Sequence, residues 1–184
     1  MTKVLYILVF LLLCCGEAFA QDGFEAVQCG SNIPAQLIGK HMSNERVVVT
    51  EARHKNLGLK DVGGEEVSDR LFLGFWMICG NEYVLLEDTR VDIIRDALAF
   101  PPHSKSSPEF SGQCAVEGKK QQDILFGVLD NQAGHTRRDA LHNKLVLAAK
   151  FAWKIDEKNT RFVKVPTEGL FCSFDGIITA DGGY

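Results

Sequence analysis

The chain has 184 residues, a net charge of −4 and 46% hydrophobic side chains. Its lysines and arginines are dispersed along the sequence, the densest pairs being Lys119-Lys120 and Arg137-Arg138, so the sequence offers neither the concentrated basic surface of a nucleic-acid partner nor a polybasic membrane anchor. No segment has the biased composition of a disordered region.

The first twenty residues read as a leader. Lys3 is followed by the apolar run Val4–Leu13 and then by Ala18-Phe19-Ala20, a small-x-small cleavage signal, so a signal peptide over residues 1–20 is expected to end before Gln21. Cys14 and Cys15 after the apolar run leave a lipoprotein as a minor alternative, disfavoured because Leu13 rather than a small residue precedes Cys14. The rest, 21–184, is expected to be a single disulfide-stapled β-rich domain, secreted or periplasmic, with no membrane span after leader removal. Its four cysteines are Cys29, Cys79, Cys114 and Cys172. An even number in an exported chain predicts two disulfides, and the absence of CxxC spacing argues against a metal site or a catalytic thiol. Spacing does not choose among the pairings; the working expectation is Cys29–Cys172, joining the ends, and Cys79–Cys114, pinning a central hairpin to the later sheet.

In chain order, Asn32 caps a short helix with Pro34 in its first turn, and Gly39 ends it. Arg46–Ala52 is a strand on its β-branched content. His54–Glu66 reads as a polar loop with a turn at Gly63-Gly64. Leu71–Cys79 and Glu82–Leu86 form the central hairpin across a Gly80-Asn81 turn. Leu71, Leu73, Phe75, Met77 and Cys79 point one way, and Phe72, Trp76 and Ile78 the other, so the first arm is expected to be covered on both faces. Thr89–Phe100 fits a strand or a short helix equally, ended by Pro101-Pro102. Pro101–Gly112 is a long polar loop. Gln113–Val116 and Asp123–Asp130 suggest a second hairpin, and Asp130–Arg138 another loop.

Lys144–Ile155 carries the clearest period-two pattern, with Leu145, Leu147, Ala149, Phe151, Trp153 and Ile155 on one face and Lys144, Lys150 and Lys154 on a wet one. Thr160–Val165 returns as its partner, and Thr167–Tyr184 ends in a glycine-containing tail. The fold class expected is mostly β, or β-rich α+β: an antiparallel barrel or sandwich of hairpins with one or two short helices.

No motif for chemistry stands out. The histidines, His41, His54, His103, His135 and His142, make neither HxH nor HExxH spacing, so no metal and no cofactor is expected. No GxSxG elbow exists; Ser104, Ser106 and Ser107 lie beside His103, in a context of turn formers. The acid pairs Glu65-Glu66, Glu87-Asp88 and Asp156-Glu157 would point apart on a strand or turn. Asp130–Gly134 lacks the alternating ligands of a calcium loop, and Gly63-Gly64 has no phosphate-loop sequel. The binding candidates are therefore in the 101–112 loop: His103, Ser104, Lys105, Ser106, Ser107 and Glu109. The function expected is that of an exported, non-enzymatic binding module acting on a protein or glycan through surface loops. An alternative is a carrier of a small apolar ligand with a barrel-interior pocket around Trp76 and Trp153; a hydrolase with an unrecognised site ranks last.

Overall fold

A computed structural model describes residues 22–42, 45–104, 109–111, 114–116, 119–121, 124–130, 137–139 and 144–173. Strands β1 (Lys60–Glu66), β2 (Leu71–Ile78), β3 (Asn81–Asp88) and β4 (Ile93–Ala99) form an antiparallel meander in the order β1-β2-β3-β4. A second antiparallel sheet holds β5 (Glu109–Ser111), β6 (Cys114–Val116), β7 (Lys119–Gln121), β8 (Ile124–Asp130), β9 (Arg137–Asp139), β10 (Lys144–Asp156), β11 (Arg161–Lys164) and β12 (Leu170–Ser173). Its order is β5-β8-β10-β12-β6-β7, with β9 and β11 also on β10. Two short helices, α1 (Ile33–Leu37) and α2 (Val47–Arg53), and two 3-10 turns, Gly23–Ala26 and Lys55–Leu57, complete the described elements. The chain is mostly β, and its two sheets form a sandwich of hairpins rather than a closed barrel.

The central hairpin forms one residue earlier than expected. Ile78 pairs with Asn81, so Cys79 and Gly80 make the two-residue loop, at φ 53° and 78°. Both central positions of such a primed turn require positive φ, which costs glycine little and cysteine more. Tertiary contacts hold Cys79 there: its N–H donates to Leu57 O at 2.7 Å, and its sulfur is bonded to Cys29.

Both faces of this hairpin are covered, as its pattern predicts. Leu71, Leu73, Val84 and Leu86 face the second sheet and pack with Phe100, Phe126 and Val128. Trp76, Ile78, Tyr83 and Leu85 face the N-terminal layer, meeting Phe24, Ile33, Leu37 and Leu57. Thr89–Phe100 resolves as strand β4. A register shift between Leu86 and Glu87 skips Arg95, which turns Ile94 and Ala97 onto the same N-terminal-layer face.

Four expectations need correction. The disulfides are Cys29–Cys79 and Cys114–Cys172, so neither Cys29–Cys172 nor Cys79–Cys114 forms. Cys172 lies directly across from Cys114 in the second sheet, while Cys29 sits in the layer over the first, and each sheet is stapled within its own half.

Val47–Arg53 is a helix, not a strand: Thr50 N–H donates to Arg46 O at 3.2 Å and His54 N–H to Thr50 O at 3.0 Å. β-Branched preference reflects packing on a pleated surface, and here Glu51 instead accepts the Asp61 N–H at 2.8 Å from β1.

The polar stretch before the hairpin contains β1, an edge strand. Gly64 is required there, since a Cβ would lie 2.5 Å from Leu73 O and against the Phe72 ring. Finally, β6 pairs with β7 and β12, whereas β8 pairs with β5 and β10, so Gln113–Val116 and Asp123–Asp130 are not a hairpin.

Strand β10 is where expected, with β11 as its neighbour, but its alternation breaks. A register shift between Ala149 and Phe151 places Leu147, Ala149 and Ala152 in one core with Leu129 and Leu170, and Phe151, Trp153 and Ile155 between the sheets. One bulged strand thereby feeds two cores.

Candidate functional site

Residues 101–104 leave the sandwich at the end of β4 and fasten to β3; of the expected Pro101–Gly112 loop, 109–111 is instead strand β5, paired with β8, and 105–108 and 112 lie outside the described residues. Phe100, buried between the sheets, donates its N–H to Glu82 O at 2.8 Å. Pro101 and Pro102 prevent the strand from continuing. His103 then folds back: its ring lies 5.5 Å from that of Phe100, and Nε2 donates to Glu82 Oε2 at 2.6 Å.

Glu82 shares strand parity with the inward-facing Val84 and Leu86. Its side chain is 10% exposed, against 26% for His103, and its Oε1 is buried without a hydrogen-bond partner among the described residues. An unpaired buried oxygen of this kind is costly to folding.

The sequence candidates divide. His103 is at the site and pairs with Glu82, not with a serine. Ser104 is exposed beside it. Glu109 lies in β5, its backbone paired with Val128. Lys105, Ser106 and Ser107 lie outside the described residues. Sequence reading missed Glu82; its one signal was an acid at an inward-parity position of an apolar strand, and its partner is 21 residues away. The two tryptophans do not share a chamber: Trp76 packs on Phe24 at 5.2 Å on one side of the first sheet, and Trp153 stacks on Phe126 at 5.7 Å on the other.

Three further polar groups are structural. His54 Nε2 meets Asp22 Oδ2 at 3.0 Å, both side chains buried, while Asp22 Oδ1 accepts from Phe24 N–H at 3.1 Å, tying the first described residues to the end of α2. Asp88 is buried under two guanidinium groups. Its Oδ2 accepts from Arg70 (3.0 and 2.7 Å) and Arg95 (3.1 and 2.9 Å), and the Arg70 hydrogen bond foremost holds its pKa down at about 2. Glu87 is the opposite case: burial, then the charges of Asp61 and Asp92, raises its pKa to about 7. Gly74 makes room for it, since a Cβ there would lie 2.8 Å from Glu87 Oε1 and 3.0 Å from Trp76 Nε1.

Among the described residues no three His, Cys, Asp or Glu side chains converge as metal ligands, and no helix is long and apolar enough to cross a membrane. No protein-family model matches the chain, and neither curated proteins nor solved structures provide a significant match. What the site offers is a partly exposed imidazole, hydrogen-bonded to a buried carboxylate and lying against an aromatic ring.

Proposed function

We propose that the protein is an exported, non-enzymatic binding module that engages a protein or glycan through the loop beginning at His103. The observation that supports this reading is the base of the segment after β4: Phe100 and His103 both fasten to Glu82, so the polar residues that follow begin from a rigid sheet. The partly exposed His103 imidazole can hydrogen-bond polar groups of such a partner. Two disulfides and the leader-like N-terminus support export.

The test replaces Lys105, Ser106, Ser107 and Pro108 by a Gly-Ser linker and, separately, makes Glu82→Gln and His103→Ala. Binding is read on a glycan array and by cross-linking to extracellular proteins. The expected result is loss of capture in the linker variant and weakening in the two point variants, with thermal unfolding of the linker variant unchanged. Undiminished capture by the linker variant would overturn the reading. The His103–Glu82 pair also has acid–base geometry, and a hydrolase reading rests on it alone; it requires turnover of an ester or glycoside that His103→Ala abolishes.

A further inference from the structure

The two disulfides are alike in the loops they close and unlike in their surroundings. Their sequence separations are 50 and 58 residues, so loop closure stabilises both nearly equally. Cys114 and Cys172 are 1% and 0% exposed, face each other across paired strands, and lie in the core with Leu129, Leu147 and Leu170. Cys29, by contrast, is exposed, and Cys79 is half-buried.

Cys29 sits in a surface turn closed by side chains. Gln28 N–H donates to Gln36 Oε1 at 2.9 Å, Ser31 Oγ to Gln28 O at 2.7 Å, and Gln36 Nε2 to Ser31 Oγ at 2.8 Å. Residues 28–32 are exposed throughout. Cys79 stands at the hairpin tip in the left-handed region, at φ 53°, a conformation that a β-carbon disfavours. Two attachments hold it there: the bridge to Cys29 and its N–H bond to Leu57 O. The first bridge is therefore reachable from solvent and ends on a residue in an unfavourable backbone conformation, while the second is sealed inside a core.

We propose that Cys29–Cys79 is a thiol–disulfide exchange site whose substrate is a dithiol, and that Cys114–Cys172 is a structural staple closed to exchange. A thiolate of the dithiol attacks Cys29 Sγ, forms a mixed disulfide there and expels Cys79 Sγ as a thiolate, which takes a proton from solvent. The second thiol of the substrate then attacks its own sulfur in the mixed disulfide and releases Cys29. The dithiol is oxidised to a disulfide, and the bridge is reduced to two thiols by the same two electrons. Access of the attacking thiolate limits such a step, and only one of the two bridges provides it. Opening leaves the N-terminal layer in place, since Phe24, Ile33, Leu37 and Leu57 stay packed on Trp76 and Ile78 and His54 keeps Asp22. What is released is the 28–32 turn and the Cys79-Gly80 tip. This inference does not rest on the binding reading at His103, and either can fail without the other.

The experiment uses the oxidised chain from Gln21, which retains every described contact, without denaturant at pH 8. In one arm it is treated with dithiothreitol, samples are alkylated with iodoacetamide over time, and each cysteine is followed by peptide mass mapping. Cys29 and Cys79 are expected to become alkylated together, about tenfold or more faster than Cys114 and Cys172, while circular dichroism stays that of the folded protein. In the other arm the monothiol glutathione replaces dithiothreitol and the mixed disulfide is trapped by acid. One glutathionyl group is expected, on Cys29, with Cys79 as the free thiol. Equal rates at all four cysteines, or reduction of Cys29–Cys79 only once the chain unfolds, overturns the proposal. Glutathione found on Cys79 overturns the assignment of Cys29 as the sulfur attacked.

Discussion

Replacing Glu87 by glutamine should stabilise the protein at alkaline pH and leave it nearly unchanged in acid. Glu87 lies over Gly74 beside the Trp76 indole, and burial, then the Asp61 and Asp92 charges, raises its pKa from 4.5 to about 7. The native state therefore holds a proton that the unfolded chain releases between those values. Its favourable contribution is complete below pH 4.5 and is lost as pH rises through about 7. A displacement of this size corresponds to on the order of 3 kcal/mol between the two limits. Glutamine keeps the shape and cannot ionise, so Glu87→Gln escapes that loss. Urea unfolding of both proteins at pH 4 and pH 9, followed by tryptophan fluorescence, gives the difference directly, and other titrating groups cancel in the comparison. An equal stability difference at the two pH values would refute the argument that burial governs this carboxyl.

Asp88 supplies the opposite sign. Its pKa is held at about 2, so its contribution is present above 3.8 and lost as pH falls through about 2; Asp88→Asn should cost on the order of 2 kcal/mol at neutral pH and little at pH 1.5, by chemical denaturation. Non-reducing peptide mapping should link the Cys29 peptide to the Cys79 peptide, and a Cys29–Cys172 link would refute the assigned pairing. Removing that bridge by Cys29→Ser/Cys79→Ser opens a 50-residue separation and should cost about 4 kcal/mol on loop-closure grounds, read from the urea midpoint.

The elements legible in the sequence were those whose own periodicity settled them. Leu71–Ile78, with apolar residues at both parities, announced a strand covered on both faces. Lys144–Asp156, with its long alternation, announced another, although a bulge near Lys150 divided its faces between two cores. The valine run misled, because branched side chains favour a strand only where a sheet receives them, and at Val47–Val49 none does. Lys60–Glu66 misled in the other direction: an edge strand needs no apolar pattern, and of its two glycines Gly64 serves the close approach of Phe72 while Gly63, at φ 133°, sits at a register shift.

For the site, the end of the strand at Pro101-Pro102 was visible, because proline's effect on a strand is local, but Glu109–Ser111 of the expected loop is strand β5. Glu82 was not visible, since nothing local distinguishes an acid that meets a histidine across the end of a neighbouring strand.

By itself the sequence determined the β class, the leader-like start, the number of bridged cysteines and the central hairpin, all of which follow from composition or short-range spacing. Tertiary structure alone decided which cysteines meet, which face each bulged strand presents, that Glu82 anchors His103, and that α2 turns its valines outward. Those depend on which surfaces are brought together over tens of residues, and pairing across such distances is set by sheet register and layer packing rather than by any local pattern.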